Sequence, residues 1–214
     1  HFENFLSKWT HRGFRHLPWN GLTEAERQRM VAEYFELTPE LRELKDRIST
    51  VSSDPLNDSG ANLAALESEL EVVRDRRREL RPDVEEALES AISAIARNQR
   101  LGSIGALLFP PVDIRLTEPP KVLITSLRER IQRTYDVLID PQVQVEEREA
   151  MEFQLLASDD LSALVLDIGG VATYPASLYN GGSIEGTLKT AAHEWLHHYL
   201  FFKPLGQNMF KSSE

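Results

Sequence analysis

The amino-acid sequence predicts an α+β fold: a helical N-terminal part over residues 1–101, a linker-like segment at 102–121, and a small sheet with one prominent helix over 122–214. Three observations predict it. Through the first half, apolar residues recur every three or four positions, as an amphipathic helix requires. Beyond Gly102, β-branched residues gather into short runs, which suit the pleated surface of a strand. The length of 214 residues, 41% hydrophobic and 27% charged, is enough for one sizeable core or two modest ones.

Each element has its own signal. Thr23 and Glu26 make a capping-box pattern, opening a helix through about Leu37. Thr38-Pro39 supplies a cap and a first-turn proline for a second helix to about Ile48. Ser49 to Gly60, rich in Ser, Asp, Asn and Pro, reads as a loop. From Ala61 to Leu101 the apolar series Leu63, Leu66, Leu70, Val73, Leu80, Val84, Leu88, Ile92 and Ile95 is helical in period. Pro82 divides it into two expected helices, folded as a hairpin or a kinked rod. The charges between, Arg76-Arg77-Arg78 and Glu85-Glu86, read as a solvated face, with a partner-binding coiled coil as the sharper alternative.

Gly102 to Lys121 holds four prolines and few helix signals, hence the linker expectation. Val122-Leu123-Ile124 and Tyr135 to Ile139 look like strands, with Leu127 to Thr134 open to helix. Asp140-Pro141 is expected to cap a helix through about Ala157. Leu161–Ile168 and Val171–Leu178 read as two strands joined in a hairpin at Gly169-Gly170. Ser183 caps the last clear helix, Ile184 to Phe202, which Pro204 and Gly206 close.

Composition narrows the function. The formal net charge of -10 disfavours nucleic acid as a partner, because phosphate contacts need clustered Lys and Arg. The absence of cysteine excludes a disulfide framework and a thiolate metal ligand. No apolar run is long enough to span a bilayer. The chain opens at His1 and closes at Glu214, and reads as a piece of a longer protein. A membrane tether outside it is one expectation, which would make this the soluble domain of an anchored protein. The opening residues 1–16 mix aromatic and basic side chains, as membrane flanks do. They suit equally an arm packed on the domain, with His11 and His16 on the surface.

The chemistry-bearing motif is His193-Glu194-Trp195-Leu196-His197, an HExxH sequence on the last helix. Residues four apart share a helix face, so two imidazoles grip one metal ion from one side. Glu194, one residue round, is placed to hold a metal-activated water and take its proton. Leu188, Ala191, Ala192, Trp195 and Tyr199 form an apolar stripe. His193 and His197 project from the other side with Thr190. His198 points about 100° away from His197 and is a poor co-ligand. The bland reading is a His-rich amphipathic helix.

Thr190 to Tyr199 resembles the longer helix pattern of the zincin metallopeptidases: Thr three residues before the first His, uncharged residues around the core and an apolar end. The resemblance is specific over about ten residues. It implies a zinc peptidase acting on a peptide or protein substrate, with Zn²⁺ on His193 and His197, Glu194 as the catalytic base, and a zincin-like small sheet from about Val112 onward. It also implies that Gly170 to Ser177 is the edge strand that pairs with an extended substrate, and that Tyr174 or Tyr179 is available to donate to an oxyanion. The metzincin pattern would place Gly at position 200 and His at 203, where Leu200 and Lys203 stand. The deformylase pattern needs a Cys, and the aspzincin pattern an Asp after His197; neither is present. The gluzincin-like branch takes a downstream Glu, so its third ligand is expected from Glu214 or from a Glu outside the sequence. Asp159-Asp160 reads as a loop or cap pair rather than a catalytic dyad. The alternative function is a catalytically inactive zincin-like scaffold or protein-interaction module that binds a partner through the 61–101 helices, in which case Leu70, Val73, Val84 and Leu88 would lie on an exposed helix face and carry binding.

Overall fold

A computed structural model describes residues 23–53, 60–104, 107–130 and 132–211. The N-terminal arm with His11 and His16, and Glu214, lie outside the described residues. The fold is α+β, helices preceding small sheets. It divides into two compact units, His1–Ala91 with Gly182–Ile184, and Ile92–Gly181 with Glu185–Glu214.

Among its described residues the first unit has two long helices. Helix α1 spans Glu24–Ser52, and its capping box forms as expected: the Glu26 amide donates to Thr23 Oγ1 at 3.2 Å, and the Thr23 amide to Glu26 Oε2 at 2.6 Å. The expected break before Pro39 does not occur; the helix runs through it. Likewise α2, Gly60–Asn98, is one helix of 39 residues through Pro82, not two; at 1.5 Å per residue it is about 58 Å long. The reason is packing. Leu41 and Leu44 of α1 form a buried cluster with Leu66, Leu70 and Val73 of α2, flanked by Leu37, Ile48 and Val51. A mid-helix proline costs about 3 kcal/mol, while each leucine fully buried returns about 2 kcal/mol, so several outweigh it. Around Pro82 the same holds: Leu80, Val84 and Leu88 are all buried.

The charged stretch is more structured than a solvated face. Arg76 pairs with Glu33 of α1 at 2.5 Å, the Arg77 guanidinium lies 4.4 Å from the Tyr34 ring centroid, and Glu85 is buried. Leu70, Val73, Val84 and Leu88 are buried too, rather than on an exposed helix face. Ile95 points to solvent, and Ala96 takes the buried position next to it.

The second unit corrects the linker expectation for 102–121. Strands β1 (Ser103–Ile104) and β2 (Leu107–Leu108) pair antiparallel, and β3 (Ile114–Thr117) lies between two proline pairs that bracket it rather than break it. Strand β4 is Lys121–Leu127, β5 Arg133–Ile139, β6 Leu161–Leu166, β7 Gly170–Val171 and β8 Ala176–Tyr179. They form two three-stranded sheets, β3-β8-β7 and β5-β4-β6. In the first, β3 and β8 run parallel with Ile114 opposite Ala176 and Leu116 opposite Leu178; all four side chains are buried. In the second, β4 pairs antiparallel with both neighbours.

Three further expectations change here. Leu127 to Thr134 is a hairpin connection, not helix: Ser126 Oγ donates to the Arg130 carbonyl at 2.7 Å, closing the turn. Helix α3, Val145–Asp159, is capped by Gln144 with Glu147; Asp140 instead accepts from the Gln142 amide at 2.7 Å, a local turn. Gly169-Gly170 is not a hairpin, because β6 pairs with β4 while β7 pairs with β8 in the other sheet. Asp160 is the C-cap of α3, left-handed at φ 53° and paired with Arg128, in keeping with the cap reading. Helix α4 is Ile184–Phe201. It ends one residue short of the expected Phe202, and after a break at 202–203 Pro204 opens a short helix α5, Pro204–Lys211, at the first position, where its missing N–H is harmless. Among the described residues no helix is long and apolar enough to cross a membrane.

Candidate metal centre

Helix α4 buries Thr187, Ala191, Glu194 and Trp195, recurring at four and three residues as a core-facing stripe does. Trp195 anchors it: its Nε1–H donates to the Pro110 carbonyl at 2.9 Å, and its ring stacks on Tyr199 with centroids 5.4 Å apart. This fixes the rotation of the helix about its axis. His193 is left exposed and His197 half-buried.

The two histidines converge. Their Nε2 atoms are 3.1 Å apart, one ring donating to the other. Two imidazole nitrogens on one tetrahedral zinc ion, each bonded at about 2.05 Å, lie about 3.3 Å apart. The observed separation is close to that distance, and a metal in this position would replace the proton shared between the two rings. Among the described residues no third His, Asp or Glu joins them in a metal-binding group, and Glu214 is not among those residues.

Glu194 is buried beside them. Loss of solvation holds its carboxyl above the usual carboxylate range, against the opposing pull of His193, His197 and His198. Strand β7 closes over it. A Cβ added to Gly170 would lie 2.7 Å from Thr190 Cγ2 and 3.0 Å from Glu194 Oε1, so only glycine lets the strand approach this closely. His198 is not aimed at the histidine pair. Its Nε2–H donates to the Ala172 carbonyl at 3.1 Å, and Tyr174 packs edge-on to it at 5.6 Å between centroids.

These groups line one cleft of about 890 Å³. Its walls are Gly170, Val171, Ala172 and Tyr174 after β6, His193, Glu194, His197 and His198 on α4, and Phe109, Pro110, Pro111, Phe201 and Phe202. Of the two tyrosines considered from sequence, Tyr174 lines the cleft; Tyr179 is not among its lining residues and lies over Gly181 instead. Sequence reasoning missed Phe109 to Pro111 because that stretch reads as linker. Phe201 carried a usable signal, standing four residues after His197 and so on the same helix face. Comparison of the chain with models of protein families, with curated proteins and with solved structures finds no match in any of the three.

Proposed function

We propose that this chain is a zinc-dependent peptidase in which His193 and His197 hold Zn²⁺ and Glu194 is the general base. The observation that carries the reading is the pair of Nε2 atoms at 3.1 Å beside a buried carboxylate in an open cleft. When bound, zinc supplies Lewis-acid polarisation of the scissile carbonyl and lowers the pKa of water towards neutrality. Glu194 takes the proton of the attacking water and returns it to the leaving amine, a role that suits a carboxylate whose pKa is raised by burial. Strand β7, the end strand of its sheet, offers Gly170 and Val171 to the backbone of an extended substrate by strand addition. His198 holds that segment through Ala172, and Tyr174, which lines the cleft, would donate to the oxyanion. In this reading a third protein ligand, Glu214 or a carboxylate outside this sequence, completes the metal set.

The test is zinc per chain after purification in trace zinc, with and without a C-terminal extension. Near-stoichiometric zinc is expected, lost in His193→Ala and His197→Ala and kept in Glu194→Gln. The Gln variant should hydrolyse peptides at least about a hundredfold more slowly, the lower end of a general base's contribution. Absence of zinc from both forms sinks the reading.

A further inference from the structure

The cleft has an aromatic wall separate from its polar groups. Phe109, Tyr174, Phe201 and Phe202 are 46%, 48%, 57% and 53% exposed, yet all four face the same cleft. Large apolar side chains gathered and left open in this way mark a binding surface. The backbone at one end of the wall is tied down, and the phenylalanine rings touch one another. The Phe109 amide donates to the Gly102 carbonyl at 2.8 Å, and the next residue, Pro110, is held by Trp195. The Phe109 and Phe202 rings lie 5.0 Å apart and those of Phe201 and Phe202 5.2 Å apart.

We infer that Phe109, Phe201 and Phe202 form a subsite for one large apolar side chain, phenylalanine or leucine in size, of an extended peptide whose backbone lies along β7. This rests on the peptidase reading and names its substrate class: extended segments that carry one bulky apolar residue at this position. Ring faces and the proline rings beside them offer such a side chain apolar contact. They offer no compensation to a carboxylate, which would lose its water there.

The test separates binding from catalysis. The full chain, stripped of metal with chelator, is titrated into fluorescent Gly/Ser/Ala peptides carrying one central Phe, Leu or Asp, and binding is followed by anisotropy. The Phe and Leu peptides are expected to bind at least about tenfold more tightly than the Asp peptide, the scale set by burying one such side chain. Phe109→Ala and Phe202→Ala should each remove most of that preference, and Phe202→Leu should retain it. Equal affinities, no binding of any peptide, or a preference that both Ala variants keep would overturn the subsite. The same peptides are then offered to the zinc-supplemented chain. Cleavage with no preference among them overturns the subsite and leaves the peptidase standing. Selective binding with neither zinc uptake nor cleavage overturns the peptidase and leaves a peptide-binding pocket.

Discussion

Gly170 sets how closely β7 approaches the buried carboxylate. A methyl group there meets Thr190 and Glu194 inside contact distance, and β-branched Thr190 cannot swing aside freely. Gly170→Ala is therefore expected to cost about 1–3 kcal/mol of stability, as overpacking does. On the proposed peptidase reading it should also slow peptide hydrolysis more than Gly169→Ala, where the same methyl finds ordinary contact at 3.7 Å; paired melting curves and rates check both. Glu194 gives a prediction with a definite sign. Burial raises its pKa in the folded chain, so protonation favours folding: its contribution is present below the ordinary carboxylate pKa and is lost as pH rises through the raised value. In metal-free protein, Glu194→Gln should thus melt above the parent chain at neutral pH, with the gap closing as pH falls. A gap that is constant with pH would contradict the desolvated placement of this carboxylate.

At the level of elements, stability should follow the caps and clusters. Thr23→Ala removes one half of the capping box and is expected to cost about 1 kcal/mol, read from chemical denaturation. Leu44→Ala, in the buried cluster that carries α1 through its proline, should cost about 3 kcal/mol. These same elements show what was legible in the sequence. The box at Thr23 could be read because its partners are three residues apart. The HExxH face could be read because i and i+4 coincide on any helix. Pro39 and Pro82 misled because the burial that overrides them, such as Leu44 and Leu70 together, joins residues far apart in the chain. Gly169-Gly170 misled for a similar reason: local turn chemistry cannot say that β6 and β7 belong to different sheets. The proline pairs around β3 have the composition of a linker, and only the buried partners Ala176 and Leu178 make that segment core.

At the scale of the molecule, a metal that binds only the folded chain adds to its stability by mass action. At a free zinc concentration about a hundredfold above its Kd, the gain is about 2.7 kcal/mol. Calorimetry is expected to show a zinc-dependent rise in melting temperature in the parent chain and none in His197→Ala. A rise that survives the substitution would place the zinc elsewhere. The histidine pair belongs to the second compact unit, and the Leu44 cluster lies wholly in the first. Leu44→Ala should therefore leave zinc per folded chain unchanged at temperatures where the chain remains native.

Trp195 and His198 both donate to main-chain oxygens, those of Pro110 and Ala172. Every residue type carries such an oxygen, while few side chains can supply the donor. As the sequence drifts, positions 195 and 198 should stay narrow while 172, whose side chain takes no part in that bond, admits many residues. Saturation libraries at 172 and 198, scored for folded yield, would register the asymmetry as unequal numbers of tolerated amino acids.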